Sequence, residues 1–284
     1  MELREAIGRR RSMRYLLPHK PVEREKIQRM LEAARLASFW GNVQALKAVV
    51  IERATAPQDV LDAIPPGSAL AGFQLRLAPV LIVWWLDWSL IDVQGDRLHE
   101  LVEAGAVGID KENSHRYLDE TLIPFFRASG EGMRQGGMTE MDCGQGIAQA
   151  TLVAFEQGLG TCLIGQPAQK KLKRVLGLPT DSKILVIQTV GYPAESLEAG
   201  GQRPRLPFEE KFFLNRMGQP FPRDPAVVEG LKRDKMLQDP APASWRRAEL
   251  DYLSRALGIP PIFGEEMPGL AERIMKEFSE PEPT

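Results

Sequence analysis

Residues 9–14 read Arg-Arg-Arg-Ser-Met-Arg, four guanidiniums and a hydroxyl within six positions. Guanidinium forks donate charge-assisted, bidentate hydrogen bonds to phosphate oxygens, and a serine hydroxyl adds a compact donor. The same run also reads as a solvated helix end, ion-paired to Glu2 and Glu5. A second basic pair, Arg203 and Arg205, lies far along the chain in the irregular stretch Gly-Gly-Gln-Arg-Pro-Arg-Leu-Pro. Tertiary structure alone can bring the two clusters together, and together they can clamp one anion. Asn42 and Gln44 stand between a helix and a strand, where amide side chains either read the polar edge of a heterocycle or simply close a Gly41-Asn42 turn. No glycine-rich phosphate loop follows an expected strand. Cys143, Cys162, His19, His99 and His115 share no metal-ligand spacing, so no metal site is expected.

The elements that must position these groups follow from periodicity. A helix is expected from Pro21 to Ser38, with Ile27, Met30, Leu31, Ala34 and Ala37 on one face. Residues 46–51 and 79–86 read as buried strands that want a central place in a sheet, and 161–165 and 183–191 read as two more strands. Between the second and third of these the better helical signals are 98–107 and 117–126, followed by the glycines 130, 132, 136 and 137. Asp142 and Gln145 form a capping-box spacing before a helix whose face carries Ala148, Thr151, Leu152 and Phe155 and which stops at Gly158. A short helix is expected between Pro167 and Gly177. Residues 209–214 can extend as an edge strand or arm. Helices are expected at 244–257, along Trp245, Ala248, Tyr252 and Ala256, and at 269–278. Strands and helices without strict βαβ alternation give an α+β class.

The chain has 284 residues, 43% apolar and 26% charged, with a net charge of −2. That excludes a small stapled scaffold and wholesale disorder, and leaves no global field to draw nucleic acid or an anionic membrane. The N-terminus lacks the apolar stretch of a secretory signal, and the longest apolar run, 78–86, is far short of the roughly 20 residues that cross a bilayer. A cytoplasmic protein with no membrane or nucleic-acid partner is expected.

The ordered series Arg10-Arg11-Ser12-x-Arg14, Asn42-x-Gln44, Asp142, Gly158-Leu159-Gly160-Thr161, Ile164-Gly165, Leu176-Gly177-Leu178-Pro179, Gly191-Tyr192-Pro193 and Arg203-x-Arg205-Leu206-Pro207 resembles the FMN-dependent nitroreductase and flavin reductase family over most of residues 1–215. The resemblance implies a nitroreductase-like fold, a mostly antiparallel central sheet flanked by helices, in an intertwined homodimer. It implies an FMN-binding domain over 1–215; it does not cover the C-terminal sixty residues, and 216–284 is expected from its own helical signals to be an extension packed on the domain or dimer.

Arg10, Arg11, Ser12, Arg14, Arg203 and Arg205 would hold the FMN phosphate and ribityl chain. Ser38, Trp40 and Asn42 of the partner would meet the ring, and the backbone at Ile164 and Gly165 would face flavin N5. NAD(P)H would be the co-substrate, and a nitroaromatic, quinone or flavin the small-molecule acceptor, in a ping-pong hydride transfer through flavin N5. Trp40, Phe125 and Phe126 are the candidate substrate contacts. No protein nucleophile is required, because the cofactor carries the chemistry. Two departures bear on the acceptor: bulky Phe39 and Trp40 precede the asparagine, and Ala45-Leu46 replaces the family's Pro-Trp. The crowded loop gives an alternative, a flavin-binding or flavin-modifying protein of the same fold without NAD(P)H turnover. A third reading, nucleic-acid contact through the arginine run, has the balanced charge against it.

Overall fold

The computed structural model describes residues 1–65, 72–165, 169–240 and 243–259. Four strands, β1 (Leu46–Glu52), β2 (Val80–Leu86), β3 (Gly160–Ile164) and β4 (Lys183–Gly191), form one sheet in the order β1-β2-β4-β3, with every neighbouring pair antiparallel. They stand where β-branched and aromatic runs place them. β2 is buried along its whole length, because both of its faces are covered. Leu81, Val83 and Trp85 join one core with Met13, Leu75, Ala63 and Leu172, whereas Val80, Ile82 and Trp84 join another with Ile27, Met30, Ile147 and Ala150. The period-2 pleat thus splits one continuous apolar run between two layers.

Helices α1 (Leu3–Arg9) and α2 (Arg24–Arg35) precede β1, and α3 (Gln58–Ala63) and α4 (Gly72–Leu77) lie between β1 and β2. Next come α5 (Ser89–Asp92), α6 (Gln94–Glu103), α7 (Lys111–Tyr117), a wide π turn at Leu118–Leu122, α8 (Ile123–Gln135) and α9 (Met138–Glu156). α10 (Lys170–Val175) joins β3 to β4, and α11 (Pro225–Arg233) and α12 (Ala243–Leu257) follow the sheet. α2 and α9 pack together across one face. A polar chain ties α9 to the sheet: Trp84 Nε1 donates to Gln188 at 2.8 Å, Gln188 Nε2 to Thr151 Oγ1 at 3.0 Å, and Thr151 to the Ile147 carbonyl at 2.7 Å. Among the described residues no helix is long and apolar enough to cross a membrane.

Several expectations are corrected. α9 begins at Met138, so Asp142 lies inside the helix and caps nothing; its buried carboxylate accepts from the Trp40 amide at 2.8 Å and from Gln145 at 3.1 Å. The packed face of α9 is Cys143, Gly146, Ile147, Ala150, Thr151, Ala154 and Phe155, while Ala148 is exposed. Gly130 and Gly132 are helical, and the break falls at Gly136 and Gly137. Residues 209–214 do not extend, because their backbone bonds close a hairpin. Leu214 N–H donates to Gln219 O at 2.7 Å and Phe221 N–H to Phe212 O at 2.9 Å, around the clustered rings of Phe208, Phe212 and Phe221.

On α12 the aromatic stripe faces outward, with Trp245 42% and Tyr252 65% exposed. The opposite stripe, Leu250, Leu253 and Leu257, packs with Ile259 on Tyr15, Phe73 and Leu77. α11 is not among the expected helices; Asp224 caps it through the Ala226 amide, and Pro225 stands in its first turn. The expected helix at 269–278 lies outside the described residues, as does Pro167.

Candidate functional site

α1 ends at Arg9, and Arg10 after it, with an extended ψ of 130°, turns the chain alongside the sheet. Ser12 bridges Thr161 of β3, Met13 N–H donates to Thr161 O at 2.9 Å, Leu17 N–H to Tyr192 O at 2.9 Å, and Ala194 N–H to Tyr15 O at 2.8 Å. In this extended segment Met13 and Tyr15 face the core, so Ser12 and Arg14 turn the other way and stay partly exposed. After β4 the chain makes a tight turn with positive φ at three successive residues, Ala199 (40°), Gly200 (83°) and Gly201 (74°). That turn presents its carbonyls to the arginines. Arg11 Nε donates to Gly201 O at 2.7 Å, and Arg203 Nη1 donates to Ala199 O at 2.7 Å and Gly201 O at 3.3 Å.

One carbonyl therefore joins the two basic clusters that the sequence separates. Burial, then the field of Arg205, pushes the Arg10 guanidinium below its ordinary pKa; burial, then Arg203 and Arg10, does the same to Arg11; burial, then Arg14 and Arg246, to Arg203. Burial is the larger cause in each case; the mutual repulsion that adds to it is the part that a bound anion would relieve.

The five arginines differ in what they have left to offer. Arg11 is 5% exposed, and besides Gly201 it donates to the carbonyls of Gly8 (2.5 Å) and Arg10 (3.0 Å) and to Gln238 Oε1 (3.1 Å). Arg203 is held by its turn. Arg10, Arg14 and Arg205 have no carboxylate partner among the described residues, and Arg14 and Arg205 reach only nearby carbonyls at 3.4 and 3.3 Å. Cys162 shares the place, its thiol pKa raised by burial against the opposing influence of Arg14 and a hydrogen bond to Ser12.

Beneath the cluster lies a residue that sequence reasoning missed. The Glu195 side chain is fully buried and accepts from the amides of Arg14 (2.5 Å) and Tyr15 (3.1 Å) and from Arg246 Nη2 (2.5 Å). Arg246 belongs to α12 and also pairs with Glu249 at 2.5 Å, while Glu249 accepts from the Ser196 amide at 2.6 Å. Residues beyond 215 thus hold the arginine-bearing strand from behind. Gly8 shows how close that contact is: a Cβ there would sit 2.1 Å from the Lys235 carbonyl oxygen.

Ser38, Trp40 and Asn42 form a second group, whose bonds and ring contacts among the described residues run to Asp142, Thr139, Phe126 and Gln44 and not to the arginines. Trp40 is fixed three ways: its amide on Asp142, its Nε1 on Thr139 Oγ1 at 3.0 Å, and its ring 5.6 Å from Phe126. Gly41, Asn42 and Gln44 all have positive φ (51°, 54° and 53°), and Gln44 Nε2 donates to Asn42 Oδ1 at 3.2 Å. Gly41 takes its positive φ without strain, and a Cβ there would meet the end of the Gln94 side chain at 2.4 Å and displace it. Ser38 is exposed, Phe126 half-buried, and Phe125 lies 5.6 Å from Phe126 and 60% exposed. At the end of β3, Ile164 is in the core and Gly165 is exposed with open space where a side chain would be, so that corner offers backbone alone. Among the described residues no group of three or more His, Cys, Asp or Glu can hold a metal ion.

No curated protein matches the chain. Solved structures match with a shared fold. A nitroreductase family protein from Streptococcus pneumoniae has 22% identity, covering 75% of this chain and 100% of its own, at a TM-score of 0.61. A protein described as a nitroreductase, in complex with FMN, from Exiguobacterium sibiricum has 21% identity over 73% and 94%, at 0.60. One described as an NAD(P)H:FMN oxidoreductase from Staphylococcus epidermidis has 18% identity over 75% and 95%, at 0.62. The nitroreductase family model matches residues 7–88 and 121–192, a span that takes in the first arginine cluster, the Trp40 loop and all four strands, and the chain belongs to that family.

Proposed function

We propose that the protein is an FMN-dependent oxidoreductase that uses NAD(P)H to reduce a small acceptor, such as a nitroaromatic, a quinone or a flavin. The observation that carries this reading is that Arg10 and Arg14, both close to Cys162, lie within each other's surroundings and those of Arg205 and Arg203, and that Arg10, Arg14 and Arg205 have no carboxylate partner among the described residues while Arg11 and Arg203 donate to carbonyls. A dianionic phosphate fits that donor set: three guanidiniums and the Ser12 hydroxyl supply donors, and the field is already positive. FMN bound there would supply the hydride-accepting and hydride-donating centre.

The chain's own tasks are then position and electrostatics. Arg10, Arg14, Arg205 and Ser12 bind the phosphate end, and Arg11 positions Arg10 and the Gly201 turn. The Ile164-Gly165 backbone approaches the ring where no side chain intervenes. The Trp40 loop, rigid through Asp142, Thr139 and Phe126, walls the ring and the acceptor pocket. Because that loop and the arginines form separate groups within one chain, the reading carries a homodimer in which Ser38, Trp40 and Asn42 come from the second copy. The FMN complex and the NAD(P)H:FMN oxidoreductase among the structural neighbours support the reading.

Purified protein is expected to be yellow and to bleach under anaerobic NADH or NADPH, with colour returning on adding a quinone or nitroaromatic. Protein that keeps a tightly held flavin yet oxidises neither nucleotide would replace this reading with the flavin-binding one. Protein that takes up no flavin would end both.

A further inference from the structure

The helices between β2 and β3 carry a group of side chains that flavin chemistry does not use. His99 on α6 and His115 on α7 bring their Nδ1 atoms to 2.6 Å, with ring centroids 4.8 Å apart and planes inclined by 25°. The nitrogen contact is shorter than two stacked π faces allow, so it lies within the ring planes, lone-pair direction against lone-pair direction. The other nitrogens are engaged too. His99 Nε2 lies 3.0 Å from Asp119 Oδ1 and His115 Nε2 lies 2.8 Å from Glu103 Oε1. Ionised carboxylates only accept, so both Nε2 atoms carry hydrogen. At the centre, two bare Nδ1 atoms would repel, and two protonated ones would collide. One proton between them satisfies both.

We infer that His99 and His115 share a single proton and form a latch of net charge +1, closed by Glu103 and Asp119 at its ends, that fastens α7 to α6. Three hydrogens occupy the four ring nitrogens; gaining or losing one breaks the central bond. The charged groups facing the pair are Glu103 of α6, which carries Lys111 at 3.0 Å, and Asp119 of the π turn. Glu103 is held below the ordinary carboxylate range, first by His115 and then by Lys111. The seam beside the latch is apolar, made by Leu98, Val102, Leu118 and Ile123. The latch matters beyond α7 because the chain runs through the π turn directly into α8, whose Phe126 packs on Trp40. Opening it would loosen one of the three supports of the Trp40 loop. This inference does not depend on flavin binding.

The test is NMR of the full chain labelled with 15N-histidine. Expected are protonated Nε2 on both rings, one proton coupled to both Nδ1 atoms, and α7 amide protection that falls when the pair gains or loses a proton. His99→Gln or His115→Gln is expected to lower α7 protection about fivefold, the factor that one hydrogen bond of ordinary net strength is worth. Independent titration of the two rings with no shared proton would overturn the inference. So would α7 protection that is indifferent to pH and to both variants, or stoichiometric uptake of added Zn2+ between the rings with the central proton absent without it. The wild-type spectrum decides the matter even if a variant folds poorly.

Discussion

Replacing Glu195 by alanine removes the acceptor on which the arginine-bearing strand rests. Its side chain is fully buried, and Arg246 is 15% exposed. Breaking a buried ion pair costs roughly 3–5 kcal/mol. Arg246 keeps Glu249 at 2.5 Å, which reduces that part to about 1–2 kcal/mol. The amides of Arg14 and Tyr15 also lose their acceptor, which adds about 2 kcal/mol at the low end of the cost of buried unpaired donors. The expected loss is therefore about 3–4 kcal/mol for Glu195→Ala. Glu195→Gln keeps an oxygen for both amides but turns an NH2 toward Arg246, so only the Arg246 ion pair and its hydrogen bond are lost, and about 1–2 kcal/mol is expected. Urea unfolding, with the slope in denaturant unchanged, measures both. A loss below about 1 kcal/mol in the alanine variant, or equal losses in the two, would refute the assignment of Glu195 as the support of this strand.

Gly8→Ala drives a methyl group into the Lys235 and Met236 backbone; about 1–3 kcal/mol of destabilisation and faster proteolysis after residue 215 are expected, and unchanged digestion would argue against that contact. Asp142→Ala leaves the Trp40 amide without its acceptor; a cost of about 1–2 kcal/mol and a changed acceptor preference are expected in unfolding and steady-state assays. Burial, with Glu140 and Asp142 adding to it, pushes the Cys143 thiol from 9.0 up to about 12. The folded state therefore holds this proton when the unfolded chain has released it, so its contribution to stability is complete below pH 9 and is lost as pH climbs toward 12. Wild type should lose stability with rising pH in that window by about 1 kcal/mol per pH unit more than Cys143→Ala, and parallel slopes would contradict the burial.

The four strands were legible because β-branched and aromatic runs between turn residues admit little else, and β2 announced its central place by carrying no polar position; β1, read as central on the same signal, is an edge strand and only partly buried. The coincidence of Arg10, Arg11 and Arg14 with Arg203 and Arg205 was legible only as a conjecture: the Gly201 carbonyl that joins them is backbone and leaves no trace in side-chain pattern. Helix faces were less secure. Trp245 and Tyr252 drew the α12 stripe outward because large apolar rings outweigh leucines in a periodicity count, although Leu250, Leu253 and Leu257 follow the same helical spacing. Asp142 satisfied a capping spacing by chance, and its partner, the Trp40 amide, is distant in sequence. Glu195 and Arg246 gave no signal, since a lone acid and a lone arginine acquire meaning only when α12 folds back. Arg11, whose type suggested a ligand contact, is buried and donates to three backbone carbonyls and Gln238, bonds that its place in the sequence did not announce.

Comparing FMN with riboflavin, which differs by the phosphate, isolates the arginine cluster from every contact to the ring. With two or more charge-assisted contacts at about 1.5–3 kcal/mol each, wild-type protein is expected to bind FMN at least about 100-fold more tightly than riboflavin, and Arg10→Ala, Arg14→Ala and Arg205→Ala combined should reduce that ratio below about tenfold. Equal affinity of the wild-type protein for the two flavins would contradict the phosphate clamp.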